Sequence, residues 1–291
     1  MKPFIAGVLL TLVTSLSWAL SPYLSGEKQA AADVKTQLAQ VERKLQAEGF
    51  VVVGRHQPKG LPQHGSLVVT DRALLEAVRA AGGVAIVGAS LRVGVKSDGS
   101  VSYMNPEYWY RATLRAGFDA AQPAVRSAQE RLAKALGAGA GFGGDVPAAD
   151  LASYRYMFGM ERIDAVRNEL RSFASFDEAL RTVQDNLAKN VAATAKVYEV
   201  VMPESRLAVI GVALNDPEQG EAWWAGKIGP DHVAALPYEI FIVGDKAYAL
   251  YGRYRIALSW PALGMGQFMG IVRAPDAIHT TMERLAGVPG P

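Results

Sequence analysis

One order of elements occurs twice along this chain, and any fold it adopts has to house both occurrences. In the first, Val34, Leu38, Val41 and Leu45 recur at the helical period, which predicts a helix from Glu27 to Glu48 closed by Gly49. Phe50-Val51-Val52-Val53 and Leu67-Val68-Val69 read as strands on either side of a Pro/Gly-rich loop. Thr70-Asp71 supplies the cap of a second helix running to about Ala81. Leu91 to Lys96 and Val101 to Met104 then form a hairpin through Asp98-Gly99. Asn105-Pro106-Glu107 brings a cap, a proline and an acid in the order that opens a helix.

The second occurrence follows the same order. Ser175-Phe176-Asp177-Glu178 is a capping box, and Phe176, Ala179, Leu180, Val183 and Leu187 form the apolar stripe behind it. Val197 to Met202 and Leu207 to Leu214 are the strands. Asp216-Pro217-Glu218 predicts the start of a helix carrying Trp223 and Trp224, and Tyr238 to Val243 pairs with Lys246 to Tyr251 around Gly244-Asp245. The units therefore span residues 27–136 and 151–291. Between them, residues 137–150 read as a glycine-rich linker. Gly139 to Gly144 has the G-x-G-x-x-G spacing, but neither a strand before it nor a helix after it is expected, and a phosphate cradle needs both. A flexible joint is the simpler reading.

From about Tyr198 to Ile278 the chain resembles the domain-of-unknown-function family numbered 302. The resemblance rests on the capped helix, on Ala235-Leu236-Pro237-Tyr238-Glu239-Ile240 entering a strand, and on Gly244-Asp245-Lys246 turning into the next. The first half looks like a more divergent copy, in which Leu91-Arg92-Val93-Gly94-Val95 holds the entering strand without the Leu-Pro pair. The family implies a compact α+β domain whose small members pair as homodimers, and it implies no established activity. The expected fold is thus α+β, with two similar sheet-plus-helix units forming an intrachain pseudo-dimer.

Residues 1–19 read as a signal peptide. Lys2 gives a positive start, Phe4 to Leu16 is uncharged and apolar, and Ser17-Trp18-Ala19 offers small residues for a cut after Ala19. The alternative is an uncleaved anchor in the inner membrane, at the lower edge of what spans ~30 Å of hydrocarbon. Either way the protein is expected outside the cytoplasm, periplasmic or secreted. The 30 basic and 28 acidic side chains leave a formal charge of +2, which speaks against a nucleic-acid partner. With no cysteine, disulfides, thiolate-bound metals and a thiol nucleophile are excluded.

No catalytic constellation stands out. His56, His64, His232 and His279 show no metal-ligand spacing, and no G-x-S-x-G or Walker motif occurs, so no metal and no cofactor are expected. Two aromatic clusters fall at matching places. Tyr103, Glu107, Tyr108 and Trp109 lie after the first hairpin; Tyr251, Arg253, Arg255 and Trp260 follow the second, with Tyr238 and Glu239 on its entering strand. Aromatics with polar tips suit a ligand site or the seam between two units, and the arginines offer planar forks to a carboxylate or phosphate. Glu107 and Glu239 are the acids set among apolar neighbours, where burial raises a carboxyl pKa. A helix start does the reverse for Glu107, and strand alternation leaves Glu239 two faces to choose from. These ten residues are the candidate binding set. They suggest an exported protein that binds a small molecule or an envelope protein without catalysis; the alternative is an enzyme whose carboxylates and tyrosines converge only in three dimensions.

Overall fold

A computed structural model of the chain describes residues 18–290. The signal-peptide reading falls mostly outside those residues. The chain enters through β1 (Ala19–Leu20) and β2 (Tyr23–Ser25) and continues through α1 (Val34–Ala47), β3 (Val51–His56), β4 (His64–Thr70) and α2 (Arg72–Ala81). Next come β5 (Leu91–Lys96), β6 (Val101–Met104), α3 (Pro106–Leu114), α4 (Phe118–Leu136), β7 (Gly141–Phe142) and β8 (Val146–Pro147). The second half contains β9 (Glu169–Ser172), α5 (Phe176–Ala188), β10 (Thr194–Met202), β11 (Leu207–Leu214), α6 (Glu221–Ile228) and β12 (Tyr238–Val243). It ends with β13 (Lys246–Tyr248), α7 (Gly252–Ser259), α8 (Met265–Met269) and α9 (Ala274–Leu285).

These elements make an α+β fold of two sheet-plus-helix units. The first sheet runs β3-β4-β5-β6-β2-β7 and the second β10-β11-β12-β13-β9, with every pairing antiparallel. In each, four strands follow chain order and the fifth place goes to a strand from the start of the same half. The central strands are buried along their length: every residue of β11 is covered, which is why its sequence is a continuous apolar run. At the edge, β10 alternates instead, with Thr194, Tyr198 and Met202 inward.

Each half covers the other's sheet. The 3-10 turn Gly83–Gly88 packs on β11 and β12, the 3-10 turn Pro230–Ala235 packs on β4, β5 and β6, and β3 lies beside β10. The approach is close enough to demand glycine. A Cβ on Gly94 would sit 2.6 Å from Val233 Cγ1, and one on Gly54 would sit 2.8 Å from the Val197 carbonyl oxygen.

Local geometry departs from the sequence reading where polar groups find other partners. The first helix begins at Val34, not Glu27, because Asp33 caps it by accepting from the Thr36 amide at 2.9 Å. The preceding residues run along the first hairpin turn, with Gln29 N donating to Gly99 O and Ala32 N to Ser97 O. Asp216-Pro217-Glu218 does not open a helix. Asp216 Oδ1 accepts from the Glu218 and Gln219 amides in a turn, and α6 starts only after Gly220. The second hairpin ends at Tyr248 because the amides of Ala249 and Tyr251 bond to Asn168. Residues 137–150 contribute β7 and β8: Gly139 N donates to Ser25 O, β7 extends the first sheet along β2, and β8 pairs with β1.

Candidate functional site

Where β5 and β12 come together, three charged side chains meet in the interior. Arg92 on β5 and Glu239 on β12 are 2% and 3% exposed, and Arg92 Nη2 donates to Glu239 Oε1. Arg255, on the first turn of α7, donates through Nε to Glu239 Oε2 at 3.2 Å and through Nη2 to Glu239 Oε1 at 3.3 Å. Nη2 also donates to the Ala235 carbonyl at 2.8 Å, and Nη1 donates to Ser259 Oγ. The same guanidinium lies 5.2 Å from the Trp109 ring centroid and 5.8 Å from that of Tyr238. Burial works against the charge of Arg255, but the Glu239 carboxylate outweighs it and holds the group above its usual pKa.

Tyrosines surround this cluster, and burial pushes each of them up: Tyr198 to about 12, with Tyr23, Tyr110 and Tyr238 raised further. They are neutral hydroxyls; that of Tyr23 has no hydrogen-bond partner among the described residues, and the other three are bonded within the fold. Tyr110 donates to Gly88 O at 2.7 Å, Tyr238 donates to Leu250 O, and Ser90 Oγ donates to the Tyr198 hydroxyl at 3.1 Å. The cavity at the centre measures about 20 Å³ and is bordered by Arg92, Trp109, Tyr110, Thr113, Glu239 and Arg255. That is room for a water-sized occupant and not for an organic substrate.

The candidate residues divide between this centre and other places. Glu239, Arg255, Trp109 and Tyr238 are at the centre, so Glu239 faces inward and is paired. Tyr108 lies beside it, its ring 5.7 Å from that of Trp109 and its hydroxyl on Leu258 O at 2.8 Å. Tyr103 is buried at the other side of the first sheet, donating to Gly137 O at 3.0 Å. Glu107 points outward into a two-bond pair with Arg111. Trp260 stacks on His232 with ring centroids 5.1 Å apart. Tyr251 donates to Asp276 under the Arg167 guanidinium, and burial together with Asp276 pushes its hydroxyl up to about 12. Arg253 donates to Glu161 at 2.5 Å. The two aromatic clusters thus seal seams more than they line a common pocket. Sequence reasoning missed Arg92 as a site residue, although an arginine inside the apolar strand Leu91–Lys96 was the available signal.

A separate apolar groove opens where Arg253 lies. Met157, Met160, Tyr254, Leu263, Met265 and Phe268 line about 60 Å³. Its surroundings are unusually apolar for a surface: Phe158 is 97% exposed, and Met157, Met265 and Met269 are also out. On its wall, Glu161 Oε2 and Arg253 Nε have no hydrogen-bond partner among the described residues. Among those residues no three His, Asp or Glu side chains are grouped to hold a metal, and no helix is long and apolar enough to cross a membrane. No protein-family model matches the chain, and no curated protein is significantly similar to it.

Proposed function

We propose that the chain is an exported, non-catalytic binding protein of the cell envelope, built from two copies of one module of the family-302 type related by an approximate two-fold axis. The reciprocal packing of the 3-10 turns and the matching strand orders support the duplication. In this reading the Arg92–Glu239–Arg255 cluster locks the halves together and the groove beside Arg253 takes the partner. The partner is a protein segment that inserts one apolar anchor side chain.

The groove carries this reading. About 60 Å³ is smaller than a small-molecule pocket of several hundred Å³ and matches a single buried side chain. Three methionines adapt its walls to aliphatic or aromatic anchors. Glu161 and Arg253 set a paired acid and base in the groove wall beside the anchor.

A photo-crosslinking residue placed at Met265 or Phe158 tests it in intact cells, with the exposed Val51 on β3 as the control position. One discrete protein adduct from the groove positions, abolished by Phe268→Glu and absent from position 51, is expected. Equal adducts at all three positions, or none at the groove, would reject the groove as a docking site.

A further inference from the structure

The ion cluster between the sheets does not balance. Two guanidinium groups, Arg92 and Arg255, face one carboxylate, Glu239, and all three are buried. Arginine keeps its charge in a protein interior. The surrounding tyrosines add no negative charge, since burial keeps Tyr23, Tyr198 and Tyr238 protonated. Asp71, the other acid that acts on this region through Tyr110, is held by Arg131 at 2.7 Å. One positive charge is in excess.

The excess is localised at Arg92. Arg255 is bonded to both Glu239 oxygens, Ser259 and Ala235, and is flanked by two aromatic faces. Arg92 uses one nitrogen, Nη2, on Glu239; its Nε and Nη1 have no partner among the described residues. The cavity of about 20 Å³ lies against this side chain. Roughly 10–15 Å³ admits one water-sized occupant. The neighbouring donors are committed elsewhere: Trp109 Nε1 to Pro22 O, Tyr110 to Gly88 O, Thr113 to Trp109 O. Of the side chains that line the cavity, Arg92 therefore carries the nitrogens without a partner among the described residues.

We propose that this cavity is a binding site for a single monatomic anion, a halide such as chloride, held against Arg92. The volume excludes phosphate, sulfate and carboxylates. A water molecule could satisfy a donor there, but an anion also cancels a buried charge, which is costly when unpaired. The site is independent of the groove and of any partner seated in it.

Bromide replaces chloride and scatters anomalously, so crystals of the full chain grown in sodium bromide provide the direct test. An anomalous peak within hydrogen-bond reach of Arg92 is expected; a cavity holding water alone would overturn the proposal. In solution, the melting temperature is compared in sodium chloride and in sodium gluconate at equal ionic strength, gluconate being too large to enter. Chloride at ten times its dissociation constant should raise Tm by about 3 °C, and Arg92→Met should abolish that difference. An anion dependence that survives in Arg92→Met would count against the site. Should that variant not fold, the bromide map of the unaltered chain decides alone.

Discussion

Arg92 and Glu239 occupy corresponding places in the two sheets, each the second residue of its strand, and they bind each other. In a pair of identical subunits, residues close to a two-fold axis meet their own counterparts, so this point would hold two arginines or two glutamates. One chain carrying both halves can set opposite charges there. Under the proposed duplication the pairing suits a fused pair better than a homodimer, and it makes the centre directional: Arg255, on the second half, has a guanidinium for which Trp109 stands at the matching turn of α3.

Removing the acid should hurt more than removing either base. Glu239→Gln takes from two buried guanidiniums the carboxylate they share, and a loss of about 3–5 kcal/mol is expected in urea unfolding. Arg92→Met leaves the neutral Arg255–Glu239 pair and fills the space with apolar volume, so its loss should be much smaller. Equal losses in the two variants would mean that the three charges do not act as an unbalanced group.

The seam between the halves predicts a contrast between two glycines. Gly54→Ala drives a methyl group to 2.8 Å from the Val197 carbonyl oxygen and 2.8 Å from Tyr198 Cβ, both on β10. Neither atom is the loose end of a side chain, so the strand must shift, at a cost of about 1–3 kcal/mol. Gly266→Ala, in α8 with open space around it, should be neutral or stabilise by about 0.5–1 kcal/mol through reduced backbone freedom. Thermal melting of both variants checks the pair, and an unperturbed Gly54→Ala would show that β3 and β10 are not locked together.

The order of elements was legible because apolar period and capping residues are local. Asp71 accepts from the Leu74 amide and Ser175 from the Glu178 amide, as their sequences imply. The short strands β2 and β9 were not legible: Tyr23–Ser25 becomes a strand only between β6 and β7, and Glu169–Ser172 only beside β13. The helix expected at Asp216 failed because its side chain satisfied a turn first. Two of the three charged residues of the central cluster were visible, Glu239 as an acid among apolar neighbours and Arg255 as a planar fork within an aromatic run. Arg92 was read only as part of a strand, because its partner lies in the other half of the chain, and no short-range pattern encodes that distance.

The N-terminal strand sets a further expectation. If export removes residues up to Ala19, the chain loses the Ala19–Pro147 pairing and the bond from Ala148 N to Trp18 O, but keeps Leu20 opposite Val146. Trp18 is 60% exposed and contributes little burial. Mass spectrometry of protein taken from the periplasm should find Leu20 as the first residue. A recombinant chain beginning there should melt within about 2 °C of one beginning at Trp18, corresponding to roughly 1 kcal/mol or less. A first residue of Met1 in the exported material would contradict cleavage, and a large loss of Tm would contradict the marginal role of β1.

Mild acid should weaken the fold through its histidines. Burial lowers the pKa of His232, of His64, where Lys96 adds to the effect, and of His279. An unfolded chain binds protons on these imidazoles as pH falls below about 6.5, while the folded chain still resists, so stability declines from that point. The decline continues until pH passes the lowered folded values, where both states are protonated and the slope vanishes. Each imidazole contributes at most about 1.4 kcal/mol per pH unit. Asp33 and Asp98, held below the usual carboxylate range by backbone and side-chain hydrogen bonds, act only at lower pH and do not mask the effect. His232 is the informative position because it packs between Tyr23, Phe142 and Trp260. His232→Phe keeps an aromatic ring there and removes one titrating group, so Tm measured between pH 7.5 and 5.5 should fall less steeply than in the unaltered chain. An unchanged slope would show that His232 takes up its proton equally well in the folded and unfolded states.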